Sequence, residues 1–123
     1  MSEPAEADRL EGAHHPRETM QLLGQDAAET VLVDALGANR MHHAWLLTGP
    51  RGVGKATLAW RLARTLRAHP TDGGFMDAPP PTSLDLDPDH PVARQVAAMS
   101  EPGIHLVRRA WDSDKKRLRA QIL

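Results

Sequence analysis

One run of nine residues concentrates the chemistry available to this chain: Gly49-Pro50-Arg51-Gly52-Val53-Gly54-Lys55-Ala56-Thr57. It follows the phosphate-loop pattern G-x-x-x-x-G-K-[ST] at every fixed position except the last, where Ala56 stands. The glycines allow backbone conformations that a side chain forbids, so successive N–H groups can converge on phosphate oxygens. A helix beginning at the loop adds free N–H groups and the positive end of its dipole. Lys55 supplies a mobile positive charge for the β- and γ-phosphates, and Arg51 is a further candidate to hold phosphate. The residue after the lysine ordinarily gives a hydroxyl to Mg²⁺. Ala56 has none, and Thr57 is turned by about 100° along a helix. The expectation is therefore weak ATP binding through the phosphates, poor Mg²⁺ coordination and no catalytic residue.

Such a loop needs a strand before it and a helix after it. Ala44-Trp45-Leu46-Leu47-Thr48 is a short apolar run that suits a buried parallel strand. Lys55 to Ala68 reads as a helix, with Leu58, Leu62 and Leu66, together with Ala59 and Ala63, forming an apolar stripe. That stripe is expected to pack on a strand centred on Leu46, with Arg61, Arg64 and Arg67 pointing away. An earlier helix is expected from Asp26 to Leu36, with Asp26 as cap and Ala28, Val31, Leu32, Ala35 and Leu36 on one face. The fold class implied is α/β, a P-loop arrangement with an incomplete parallel sheet and flanking helices.

The remaining chain divides by composition. Residues 1–19 read as a flexible polar arm, and 20–123 as a partial P-loop domain. Residues 69–91 contain six prolines, a Gly73-Gly74 pair and five aspartates without a Lys or Arg, and read as a loop or disordered insertion. A short helix is expected at Val92–Met99, a second strand at Ile104–Val107, and a basic helix from Asp112 or Ser113 toward Leu123. ATP hydrolysis also needs an acidic residue ending a second strand, the Walker B pattern. Ile104–Val107 runs instead into Arg108-Arg109, and Ser83-Leu84-Asp85-Leu86-Asp87 is too short and lies among prolines.

With 123 residues the chain suffices for one small domain, and its net charge of −1 gives no global attraction to nucleic acid or anionic membrane. The absence of cysteine removes disulfides and thiolate zinc sites, so no structural zinc is expected. One Phe, three Trp and no Tyr give little for stacking on single strands. No apolar signal segment or membrane span is evident, and a cytoplasmic location is expected. His14-His15 reads as part of the arm, and His42-His43 as a solvated lead into the strand. The basic cluster of Arg108, Arg109, Lys115, Lys116, Arg117 and Arg119 reads by default as a solvated face, with DNA or subunit contact as the alternative.

The run from His42 to Ala59 resembles the P-loop region of bacterial clamp-loader delta-prime subunits of DNA polymerase III, AAA+ proteins related to gamma/tau. The Gly-Lys-Ala-Thr variant at 54–57 is similar to sequences of alphaproteobacterial type. Leu22-Leu23-Gly24-Gln25 resembles the family's segment before the first helix. Glu101 to Leu106 resembles its segment before the next strand, and Trp111-Asp112 with 115–119 its following basic stretch. The resemblance implies a largely rigid partner in a five-subunit ring that loads the sliding clamp on DNA. Its partners would be the gamma/tau and delta subunits, and indirectly the clamp and DNA. It also implies that this sequence is an amino-terminal fragment, since Walker B, the Ser-Arg-Cys arginine finger, the lid and the collar are missing. Relatives carry four zinc-binding cysteines where 69–91 lies, and none stands here. The alternative is an active P-loop ATPase or small-molecule kinase.

Overall fold

A computed structural model describes residues 12–38, 41–69 and 81–107, and the backbone of 111–112 and 117–118. Its frame is three helices: α1 (Asp26–Gly37), α2 (Lys55–Ala68) and α3 (Pro91–Ala97). A single turn of 3-10 helix at Pro16–Glu18 comes before them, and two short strands, β1 (Trp111–Asp112) and β2 (Arg117–Leu118), come after. No helix among the described residues is long and apolar enough to cross a membrane.

Everything is arranged around α2. On one side Leu58 and Leu62, spaced i, i+4 so that they share a face, enter a buried cluster with Leu32 and Leu36 of α1 and with Leu84. Full burial of each leucine is worth roughly 1.5–3 kcal/mol. Leu22, Trp45 and Leu47 pack against the edge of this cluster. On another side α2 meets the 3-10 turn and α3. There Trp60 lies edge-on to the His15 ring, with centroids 6.2 Å apart.

Two of the three arginines of α2 do not face solvent as their spacing suggests, while Arg67 is exposed as expected. Arg61 and Arg64 are buried, at 3% and 1% exposure. A buried guanidinium is costly unless its N–H groups find acceptors, and these do. Arg61 donates to Glu29 Oε1 at 2.6 Å, to Asp85 Oδ1 at 2.9 Å and to the Met20 carbonyl. Arg64 donates to the carbonyls of Arg17 and Thr19, both at 2.8 Å. Arg67 reaches Glu101 Oε1 at 2.6 Å. The cause is the chain before α1, which crosses the side of α2 that the helical pattern leaves to water. Residues 12–19 are accordingly not a free arm: His15 is fully buried and accepts a hydrogen bond from the Arg17 N–H, which orders the 3-10 turn. Residues 1–11 lie outside the described residues.

Burial alone would lower the Arg61 guanidinium, but its bonds to Asp85 and Glu29 outweigh that and leave it raised. Arg64, with carbonyls but no carboxylate, is pushed down to about 10 by burial and then by the charge of Arg61. Asp85 is held below the usual carboxylate range, first by the Arg61 hydrogen bond and then by Ser83. Within the 69–91 segment, 70–80 lie outside the described residues, while Leu84 is buried and Asp85 is tied to α2, so its second half docks on the core.

The expected parallel sheet does not form among the described residues, whose only strands are β1 and β2, paired antiparallel with Trp111 opposite Leu118. Ala44–Thr48 and Ile104–Val107 join no ladder. A parallel ladder requires a second extended segment brought alongside by a crossover, and no described segment is so placed. Residues 45–47 still show the two-residue alternation of a strand: Trp45 and Leu47 are half-buried and Leu46 is 87% exposed. The expected centring on Leu46 is thus off by one residue, which in an extended chain exchanges faces. Leu66 is exposed as well, at the end of the stripe where α2 outruns α1 and the leucine cluster. The basic helix expected from Asp112 is replaced at 111–112 and 117–118 by strand pairing. Trp favours strands, and the cross-strand pairs Trp111–Leu118 and Asp112–Arg117 take the backbone that the helix would have used. Residues 113–116 and 119–123 lie outside the described residues.

The Arg61 network yields a graded prediction. Arg61→Ala leaves Glu29, whose side chain is 17% exposed, without its cation and should cost ~2–4 kcal/mol. Asp85→Asn removes the negative charge but keeps an accepting oxygen, on a side chain 81% exposed, and should cost at most ~0.5 kcal/mol. Because the Asp85 pKa is depressed in the folded state, its small contribution is present above the ordinary carboxylate pKa and lost as pH falls through the lowered value. Urea unfolding followed by circular dichroism at neutral pH measures both; equal losses would contradict the network.

Candidate phosphate-loop site

The loop between the extended segment and α2 is built on positive backbone angles. Gly49, Gly52 and Gly54 have φ of 151°, 85° and 101°. Gly54 is the N-cap of α2 in the left-handed conformation, and its carbonyl accepts the Leu58 N–H at 2.9 Å, the bond that starts the helix. A side chain at Gly54 is excluded twice, by the left-handed φ and because a Cβ there would overlap Leu22 Cδ1. The first-turn N–H groups of a 14-residue helix therefore open directly onto the loop, with the positive end of its dipole.

Lys55 turns back across this loop. Its Nζ donates to the Gly49 carbonyl at 2.6 Å and to the Pro50 carbonyl at 2.8 Å. The ammonium thus closes the loop on itself, and an incoming phosphate competes with those two carbonyls for its donors. Gln25 closes the other side, its Nε2 donating to the Val53 carbonyl at 3.1 Å.

Beside the loop is an open cleft of about 260 Å³ lined by Gln25, Ala28, 46–48, 53–55 and Leu58. That volume is near the lower end for small-molecule sites, roughly 300–1,000 Å³. Its polar groups among the described residues are the Gln25 amide, the Thr48 hydroxyl, the loop backbone and the Lys55 ammonium, with no carboxylate among them. A larger groove of about 370 Å³ runs between α1 and residues 82–85, with Asp26, Glu29, Asp34 and Asp85 on its walls against the single cation Arg61. Its acidic walls are unfavourable to an anion, which makes the smaller cleft the better candidate for one.

Of the residues expected from sequence, Val53, Gly54 and Lys55 line the cleft; Gly49, Pro50, Arg51, Gly52, Ala56 and Thr57 do not. Gly49 and Pro50 take part through their carbonyls on Lys55. Arg51 and Ala56 are exposed, and Thr57 is half-buried outside the cleft lining. His42 and His43 are exposed outside the cleft, His42 lying edge-on to Trp45 with centroids 5.2 Å apart. Gln25 and Thr48 are cleft residues that the motif does not contain; the only pointer to Gln25 was its Gly-Gln pair ahead of α1. Among the described residues no three His, Asp or Glu side chains gather in a group able to hold a metal ion.

The chain is 43% identical over 54 residues to the DNA polymerase III subunit gamma of Buchnera aphidicola subsp. Acyrthosiphon pisum, a match covering 44% of this chain and 15% of that protein. Over that stretch it is a relative of DNA polymerase III gamma/tau subunits. Identity is 41% over 54 residues to the tau subunit of Escherichia coli, covering 44% of this chain and 8% of the relative. It is 42% over 53 residues to the gamma/tau subunit of Mycobacterium tuberculosis strain H37Rv, covering 43% and 9%. The chain thus matches 15% or less of the length of these curated relatives. No protein-family model matches the chain, and no solved structure matches it.

The loop geometry predicts an order of sensitivity. Gly52→Ala has open space around the new Cβ and pays only for its positive φ, ~1–2 kcal/mol. Gly54→Ala adds the overlap with Leu22 and should cost more than Gly52→Ala. Urea midpoints of the two variants check the order, and a milder Gly54 variant would show that the α2 N-cap has another geometry.

Proposed function

We propose that this chain is the phosphate-loop part of a DNA polymerase III clamp-loader subunit of delta-prime type. It serves as a partner within the loader that places the sliding clamp on DNA and keeps a residual nucleotide site. The observation that carries the reading is a strand-like segment, a loop of three positive-φ glycines and a helix led by Lys55, in a chain similar to gamma/tau subunits. The delta-prime assignment rests on the site chemistry. Ala56 offers Mg²⁺ no side-chain oxygen, and among the described residues no carboxylate lines the cleft to hold the metal or orient water. Phosphoryl transfer depends on such positioned charge, and of its parts only Lys55 and the loop backbone stand at the cleft among the described residues.

On this reading ATP binds weakly through the loop residues 49–57, Mg²⁺ adds little, and zinc has no place. The partners are the gamma/tau and delta subunits, and through them the clamp and DNA, in the cytoplasm. A second reading, an active P-loop ATPase, draws on Lys55 at the head of α2 behind three positive-φ glycines in a chain similar to gamma and tau subunits. A kinase lacks such support.

Turnover separates the two. The chain should hydrolyse ATP no faster than its Lys55→Ala variant, measured by phosphate release. Ala56→Thr should tighten Mg-ATP binding several-fold, read by a fluorescent ATP analogue, because it restores a metal ligand. Hydrolysis that Lys55→Ala abolishes would falsify the delta-prime reading and favour the ATPase.

A further inference from the structure

The chain ahead of α1 runs antiparallel along α2 as a strap. Its attachments occur in register: the Arg17 and Thr19 carbonyls on Arg64, the Met20 carbonyl on Arg61, Leu22 against Gly54, and the Gln25 amide on the Val53 carbonyl. The first three are bonds to guanidiniums buried on α2; the last two land on the phosphate loop. Nothing in the phosphate-loop motif specifies either end. A strap fixed on a helix at one end and on a loop at the other ties the loop's shape to the helix that follows it.

We propose that Gln25 and Leu22 are positioning residues for the phosphate loop, held in place by the strap that Arg61 and Arg64 anchor. This rests on the phosphate-cradle reading. The physical argument is preorganisation. The loop's N–H groups hold phosphate only if the glycine angles are kept before the anion arrives, and a loop ordered beforehand loses less entropy on binding. Leu22 fills the space a Cβ at Gly54 would need, so it fixes the N-cap by contact. Gln25 takes the Val53 carbonyl, which directs that peptide and the Gly54 N–H beside it. Lys55 holds the opposite side of the loop through the Gly49 and Pro50 carbonyls. When phosphate draws the ammonium away, the Gln25 and Leu22 contacts are what remain to keep the loop shaped.

The test uses the full 123-residue chain with inorganic pyrophosphate as the probe. Gln25→Met keeps the length of the side chain and removes the donor; Leu22→Ala opens the contact at Gly54. Calorimetric titration should give affinities weakened about fivefold for Gln25→Met, the equivalent of one lost hydrogen bond of ~1 kcal/mol. Hydrogen exchange should be faster at the amides of 52–56 and unchanged at Leu62 and Thr65 within α2, a local response that general destabilisation would not give. Lys55→Ala serves as the reference. If Lys55→Ala abolishes binding while Gln25→Met and Leu22→Ala keep wild-type affinity and loop exchange, the positioning role is wrong and the cradle stands. If pyrophosphate does not bind the wild type, or binds Lys55→Ala equally well, the cradle reading fails and takes this proposal with it.

Discussion

The buried guanidiniums of Arg61 and Arg64 are the constraint on which the rest of this structure depends. Each is a charge removed from water in the middle of α2, tolerable only because carbonyls and carboxylates from distant parts of the chain surround it. Arg61 alone joins α1 through Glu29, the strap through Met20 and the end of the Pro/Asp-rich segment through Asp85. With helices this short and few apolar residues, the leucine cluster covers only one side of α2. The arginines organise the other, and so they determine where the chain before α1 must run.

The phosphate loop inherits its order from both sides. The leucine cluster fixes α2 and, through Trp45 and Leu47, the extended segment leading into the loop. The strap fixes the loop from outside, at Gly54 and Val53. What a ladder of strands would ordinarily do for such a loop is done here by side chains. On the proposed reading the loop has backbone, helix N-terminus and lysine to offer a phosphate, and among the described residues no carboxylate at the cleft to hold Mg²⁺.

Local signals in the sequence carried the local facts. The glycine spacing foretold the loop and the start of α2 at Lys55, and Leu58 and Leu62 were legible as core because a helix repeats near every fourth residue. The helix expected at Val92–Met99 matches α3 within two residues at either end, with Pro91, read as the end of the loop, at its first position. What failed were inferences about neighbours. Arg61 and Arg64 read as solvent-facing because periodicity cannot show that another segment will cross a polar face and satisfy it. Trp45 and Leu47, not Leu46, turn inward, since alternation gives the period but not its phase. The parallel sheet was expected from the apolar character of single segments, yet a ladder depends on pairs. His15 and Arg17, in a stretch polar enough to pass for an arm, are buried because α2 and α3 offer them partners.

The most direct test of the central claim, a preorganised phosphate cradle at the head of α2, is a nuclear magnetic resonance titration of the isotope-labelled chain with ADP in the absence of metal. The account predicts saturable shifts centred on the amides of Gly52, Gly54, Lys55 and Ala56, with smaller ones at Val53 and Gln25. Shifts confined to the groove between α1 and residues 82–85, or none at the loop at millimolar nucleotide, would contradict it.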